Sequence, residues 1–129
     1  MSTAFETLIR QLPQMFDAAR AQRTLESIAS HAGEGAARDL FAAAASNSPF
    51  LARALVQECA FLPELRAVAP DDAFAAIIAH VEGGEAQARG EVLALLRQAK
   101  RRAALLIAVA DLGGMWSLDE VTGALTKLR

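Results

Sequence analysis

Tyrosine is absent from this chain, cysteine and tryptophan occur once each, and aromatic residues make up only 5% of it. A single thiol, Cys59, closes no internal disulfide, so it fits a reducing compartment and a space-filling role. β-Branched residues are sparse and scattered, and no alternating strand pattern, internal repeat or low-complexity linker occurs. Long apolar runs are also missing. The longest, Ala103–Ala110, is bounded by Arg102 and Asp111 and falls far short of the roughly 20 residues that span a bilayer. The start of the chain has no basic patch followed by an apolar stretch, so no signal peptide is expected. Nor is there an excess of positive charge: the formal net charge is -2, which argues against a chain dedicated to nucleic acid. A cytoplasmic protein with neither a membrane nor a nucleic-acid partner is the expectation.

Alanine and leucine fill the space these absences leave. Both lose little side-chain entropy in a helix, so the composition favours an all-α fold. A chain of 129 residues has the length of one domain and can bury about two-thirds of its unfolded surface. Punctuation then divides it. Phe5, Leu8, Ile9 and Leu12 follow helical spacing up to Pro13. Asp17 is placed to cap a second helix that carries Leu25, Ile28 and Ala29 inward and ends near Gly33. Arg38 to Ala45 reads as an alanine-packed third helix.

Ser48 can cap the next helix, with Pro49 at its first position, where a missing amide proton costs nothing. Phe50, Leu51, Ala54 and Leu55 form its apolar stripe. Pro63 opens a brief turn or helix, and Pro70-Asp71 a longer one that buries Phe74, Ile77, Ile78 and Val81 and stops at Gly83-Gly84. From Glu85 to Leu112 the pattern is helical without a break, with Val92, Leu95, Leu96, Ala99, Ala103, Leu106, Ile107 and Ala110 on one side. Gly113-Gly114 ends it in the manner of a left-handed C-cap. Ser117 and Glu120 have the spacing of a capping box for a last helix, whose apolar face is Val121, Ala124, Leu125 and Leu128. The expectation is a compact, all-α array of about seven helices with one long central helix, forming a single domain over residues 1–129.

Candidate chemistry is thin. His31 and His80 have no second ligand at helical spacing, whereas zinc needs three or four converging ligands. Cys59 lies in an apolar helix beside Glu58, poor surroundings for a thiolate nucleophile. Gly83, Gly84 and Gly90 follow no strand and precede no G-K-[ST], so they read as helix punctuation and not as a phosphate loop. Asp71 and Asp72 sit at a helix start, where they complement the dipole more readily than they hold magnesium. Arg97, Lys100, Arg101 and Arg102 form the one basic cluster and read as a solvated helix face. Asp111 lies where the helix dipole disfavours an acid, and Arg53 is its expected partner.

Two segments carry a family resemblance. The first is Asn47-Ser48-Pro49-Phe50-Leu51-Ala52-Arg53. The second runs from Lys100 to Leu125 and includes Arg102, Ala104, Leu105, Ala108, Asp111, Leu112, Gly114, Leu118, Glu120, Val121, Thr122 and Leu125. Both resemble the N-terminal helical region of the bifunctional glutamine synthetase adenylyltransferase/adenylyl-removing enzymes. That resemblance implies a nucleotidyltransferase parent that uses ATP and magnesium and works with glutamine synthetase and a PII-type signal protein. The family's catalytic signature pairs a Gly-Ser motif with a D-x-D carboxylate pair, and neither occurs here. The resemblance therefore implies a non-catalytic scaffold that has no cofactor of its own and partners the parent's own catalytic domain, which is expected downstream of Arg129. A free-standing helical protein-interaction module is the alternative, and a small independent enzyme a distant third. Ser48, Pro49, Phe50, Arg53, Arg101, Arg102, Asp111, Ser117 and Glu120 are the residues expected to have structural or interface roles.

Overall fold

The computed structural model describes residues 4–83 and 89–127. In chain order it contains α1 (Ala4–Leu8), α2 (Ala18–Ala32), α3 (Ala36–Asn47), α4 (Pro49–Gln57), a 3-10 turn (Cys59–Phe61), α5 (Leu62–Ala67), α6 (Pro70–Gly83), α7 (Arg89–Leu112) and α8 (Leu118–Lys127). Among the described residues there is no strand, and no helix is long and apolar enough to cross a membrane. The all-α expectation holds, and so does the long helix. Glu85 and Gly84 lie outside the described residues, and Gly90 continues the first turn of α7 without a break.

Helix α7 is the spine. Its C-terminal half buries Ala103, Leu105, Leu106, Ile107, Val109 and Ala110, positions that take up more than half of its circumference and leave Asp111 outside, so neighbours meet it on several sides. Those neighbours are α3, α4, α6 and α8. Helix α3 is enclosed in the same way: Phe41, Ala42, Ala43, Ala44, Ala45 and Ser46 are consecutive and all buried. Small side chains allow helices to approach closely here. At Gly113, a Cβ would come within 2.9 Å of Leu40 Cδ2 on α3.

The predicted helix ends are made as the residue types require. Asp17 accepts from the Arg20 amide at 2.9 Å, and Ser48 Oγ accepts from the Leu51 amide at 3.2 Å, with Pro49 in the first turn. Helix α7 closes through two bonds, Met115 N–H to Ala110 O at 2.8 Å and Gly114 N–H to Asp111 O at 3.1 Å. This pairing needs a left-handed residue, which Gly114 supplies at φ 67. At α8, Ser117 N–H donates to Glu120 Oε1 at 3.0 Å while Glu120 N–H donates to Ser117 Oγ at 3.2 Å, which completes the capping box.

Three local expectations fail, each for a tertiary reason. Helix α1 stops at Leu8 and does not reach Leu12. The amides of Arg10 and Gln11 donate instead to Gly113 O, and Asn47 Nδ2 donates to Gln14 O at 3.0 Å, so this segment becomes a strap from the end of α7 to the end of α3. Ala29 is exposed because α2 turns Ala21, Thr24, Ile28 and Ala32 inward. Phe50 is 53% exposed, since α4 buries Leu51, Ala52, Ala54 and Leu55 instead.

Candidate functional site

The most concentrated charge in the interior is at the end of α4. Glu58 is i+3 from Leu55 and i+7 from Leu51, so helical spacing carries it onto the buried stripe, where it is 4% exposed. A carboxylate removed from water needs partners for both oxygens. Arg101 Nε donates to Oε2 at 2.9 Å and Arg102 Nε to Oε1 at 2.8 Å. The Arg102 guanidinium also lies 5.0 Å from the centroid of the Phe61 ring. These contacts bind α4 and its 3-10 turn to α7. They also correct the reading of Arg97, Lys100, Arg101 and Arg102 as one solvated face: Arg97 and Lys100 are exposed, but Arg101 and Arg102 are half-buried on Glu58.

A second polar junction joins α6 to the turn before α8. Trp116 Nε1 donates to Asp71 Oδ1 at 2.6 Å, and its ring meets Phe74 edge-on at 6.0 Å between centroids. Asp71 lines a groove of about 780 Å³ between α6 and α8, together with Glu82, Glu120 and Lys127. Asp72 instead lines a groove of about 580 Å³ between α6 and α7, together with His80 and Arg102. The adjacent carboxylates thus serve different grooves and do not converge on one ion. Among the described residues, no group of three or more His, Cys, Asp or Glu could hold a metal.

Arg20 forms a third junction. It donates to Ala45 O at 2.7 Å and Ser46 O at 2.8 Å, closing the carbonyl end of α3, and pairs with Asp17 at 3.1 Å. The expected pair of Arg53 and Asp111 does not form. Arg53 projects on the α2 side of α4, in a cleft with Arg23, Thr24 and Ser27, while α7 meets α4 at Glu58. Asp111 is exposed, so water screens it from the helix dipole. Of the nine singled-out residues, Ser48, Pro49, Ser117 and Glu120 shape helix ends, Arg101 and Arg102 hold Glu58, and Phe50, Arg53 and Asp111 face outward.

Glu58, Arg20 and the Trp116–Asp71 bond were missed as functional groups. Glu58 alone had a signal in the sequence, an acid in register with Leu51 and Leu55 and a basic cluster elsewhere to match it. Pairings such as Arg20 with the end of α3 join positions about 25 residues apart in a way spacing does not reveal.

Fold and polar groups together define an all-helical module whose interior charges connect helices. Comparison with known proteins then places it. The sequence profile of the glutamate-ammonia ligase adenylyltransferase family matches residues 36–129, and the chain belongs to that family. A bifunctional glutamine synthetase adenylyltransferase/adenylyl-removing enzyme of Caulobacter vibrioides is 38% identical over 123 residues, covering 88% of this chain and 12% of its own length. The enzyme of the same description from Bradyrhizobium diazoefficiens is 38% identical over 93 residues, covering 70% of this chain and 9% of its own. One from Rhodopseudomonas palustris is 45% identical over 62 residues, covering 46% and 6%. The chain thus spans about an eighth or less of the curated relatives it matches. No solved structure matches it.

Proposed function

We propose that this chain is a helical scaffold within an enzyme that adenylylates and deadenylylates glutamine synthetase to control nitrogen assimilation, and that it is itself non-catalytic. Nucleotidyl transfer requires carboxylates that hold metal and donors aimed at phosphate. In this chain, Glu58, Asp71 and Glu120 are already engaged with Arg101 and Arg102, with Trp116, and with the Ser117 amide. On this reading, ATP and magnesium are handled by a catalytic domain elsewhere in the parent, which also meets glutamine synthetase and a PII-type signal protein. The parent works in the cytoplasm.

The observation that carries the proposal is the outer face of α8. Leu118 is 79% exposed and Leu125 50% exposed, whereas Ala124 is the residue of this helix that is buried. Such an apolar surface fits a contact with the rest of the parent protein. The test is Leu118→Glu combined with Leu125→Glu. Because both side chains already meet water, the isolated chain should unfold at an unchanged denaturant concentration, while both activities of the parent fall. A parent that keeps both activities would overturn the proposal.

A further inference from the structure

The segment that opens α4 divides its work between inside and outside. Ser48 caps the helix, Pro49 occupies its first turn, and Leu51 and Ala52 are buried. Phe50 and Arg53 contribute to none of this. Phe50 is 53% exposed, and Arg53 is exposed with no ion pair among the described residues. Val56, 43% exposed, extends the same outer face by one turn. The outer face of a short surface helix is ordinarily polar, so two large apolar side chains here do nothing for the core.

Across a cleft of about 340 Å³ lies α2, which contributes Arg23, Thr24 and Ser27. The two hydroxyls are spent within their own helix, Thr24 on Arg20 O at 2.9 Å and Ser27 on Arg23 O at 3.2 Å. No acid lines the cleft. Among the described residues neither Arg23 nor Arg53 forms an ion pair: Asp17 pairs with Arg20, and Glu26, one turn from Arg23, accepts from Gln22 at 3.2 Å and not from the guanidinium. Two guanidiniums that form no ion pair among the described residues therefore share one cleft lined by no acid, on a chain of net charge -2. Phe16 stands at the same corner, 71% exposed, with its amide on Ser46 Oγ just before the α4 cap.

We propose that the face formed by α2 and α4 docks an acidic amphipathic segment of another protein. Its carboxylates would enter between Arg23 and Arg53, and its apolar residues would cover Phe50 and Val56. Charge complementarity supplies the acid, since like charges facing each other across a cleft are relieved by an anion between them. The exposed apolar side chains require the amphipathic character. An aromatic and arginines without lysine is the composition enriched where protein surfaces meet. A nucleic acid would satisfy the arginines but leave Val56 and Phe16 in water.

The test uses the isotope-labelled full chain and a synthetic helical peptide of about four turns. The peptide carries a leucine stripe flanked by glutamates, and a twin carries lysines in their place. The glutamate peptide should shift amide resonances of α2, α4 and the segment around Phe16. Arg53→Glu should weaken it at least about tenfold, and Arg23→Glu with Arg53→Glu should reverse the preference to the lysine peptide. Both side chains are exposed, and an unchanged spectrum away from the cleft verifies that the variants are folded. The proposal is overturned if the lysine peptide binds the unaltered chain equally well, if the shifts fall on α6 and α8, or if no binding occurs. It is equally overturned if a single-stranded oligonucleotide displaces the peptide, or if the same shifts arise from raising the chain's concentration alone.

Discussion

Replacing Glu58 by glutamine keeps the shape of the side chain and removes its charge. In the native chain both carboxylate oxygens accept charge-assisted bonds, at 2.9 and 2.8 Å. Glutamine retains one acceptor oxygen, and its amide group turns donors towards the second guanidinium. The loss is one charge-assisted bond, worth about 1.5–3 kcal/mol. Arg101 and Arg102 are 42% and 24% exposed as side chains, so water takes over part of their solvation and draws the cost to about 2 kcal/mol. Relative exposure also orders the partners. Arg101→Ala also leaves the buried carboxylate one bond short, but at the more exposed side, where water can take the place of the guanidinium, so it should cost about 1 kcal/mol, less than Arg102→Ala. Arg102→Ala should cost about 2 kcal/mol, because it leaves the buried carboxylate one bond short and removes the cation over Phe61. Urea unfolding followed by circular dichroism reads these values from the midpoint at constant slope. For a domain this size, a loss of 2 kcal/mol corresponds to a melting temperature lower by about 6–10 °C. Losses below about 0.5 kcal/mol for both Glu58→Gln and Arg102→Ala would refute the claim that this cluster holds α4 to α7.

Ser117→Ala removes one of the two reciprocal bonds at the start of α8 and should cost roughly 0.5–2 kcal/mol in the same assay. Asp71→Ala leaves the indole N–H of Trp116, a residue 9% exposed, without its acceptor; a loss of about 1–3 kcal/mol and a shifted tryptophan emission are expected. The two glycines at the C-terminal end should respond with opposite signs. Gly123 lies inside α8 with open space where a Cβ would go, so Gly123→Ala should stabilise by about 0.5–1 kcal/mol. Gly114 has φ 67, so Gly114→Ala should destabilise by about 1–2 kcal/mol.

Much of the fold was legible because its boundaries are written in local chemistry. Ser48-Pro49, Gly113-Gly114 and Ser117 with Glu120 each act through residues close in the chain, and each makes the hydrogen bonds its type predicts. Where tertiary partners compete, local spacing misleads. The pattern from Phe5 to Leu12 is helical, but the carbonyl of Gly113 captures the amides of Arg10 and Gln11 and draws the chain out as a strap. Phe50 looked like core because it is apolar and adjoins Leu51, yet a short helix buries one face and Phe50 is on the other. The charge pairings were the least legible. Arg53 with Asp111 was a plausible match of signs, but the geometry of α4 against α7 brings Glu58 to Arg101 and Arg102 instead. Spacing along one helix shows which residues share a face. It does not show which face of another helix they meet.

Whether this chain supports an adenylyl-transferring enzyme without performing its chemistry is read most directly by a phosphorolysis assay. The purified chain is mixed with adenylylated glutamine synthetase, inorganic phosphate and magnesium, and ADP is measured against a control without the chain. On the proposed reading, phosphate displaces the glutamine synthetase side-chain oxygen from AMP, that oxygen takes up a proton, and AMP joined to phosphate leaves as ADP. No ADP above the control is expected from this chain, and release is expected from the full-length parent under the same conditions. ADP formed by the chain alone would contradict the proposed scaffold role.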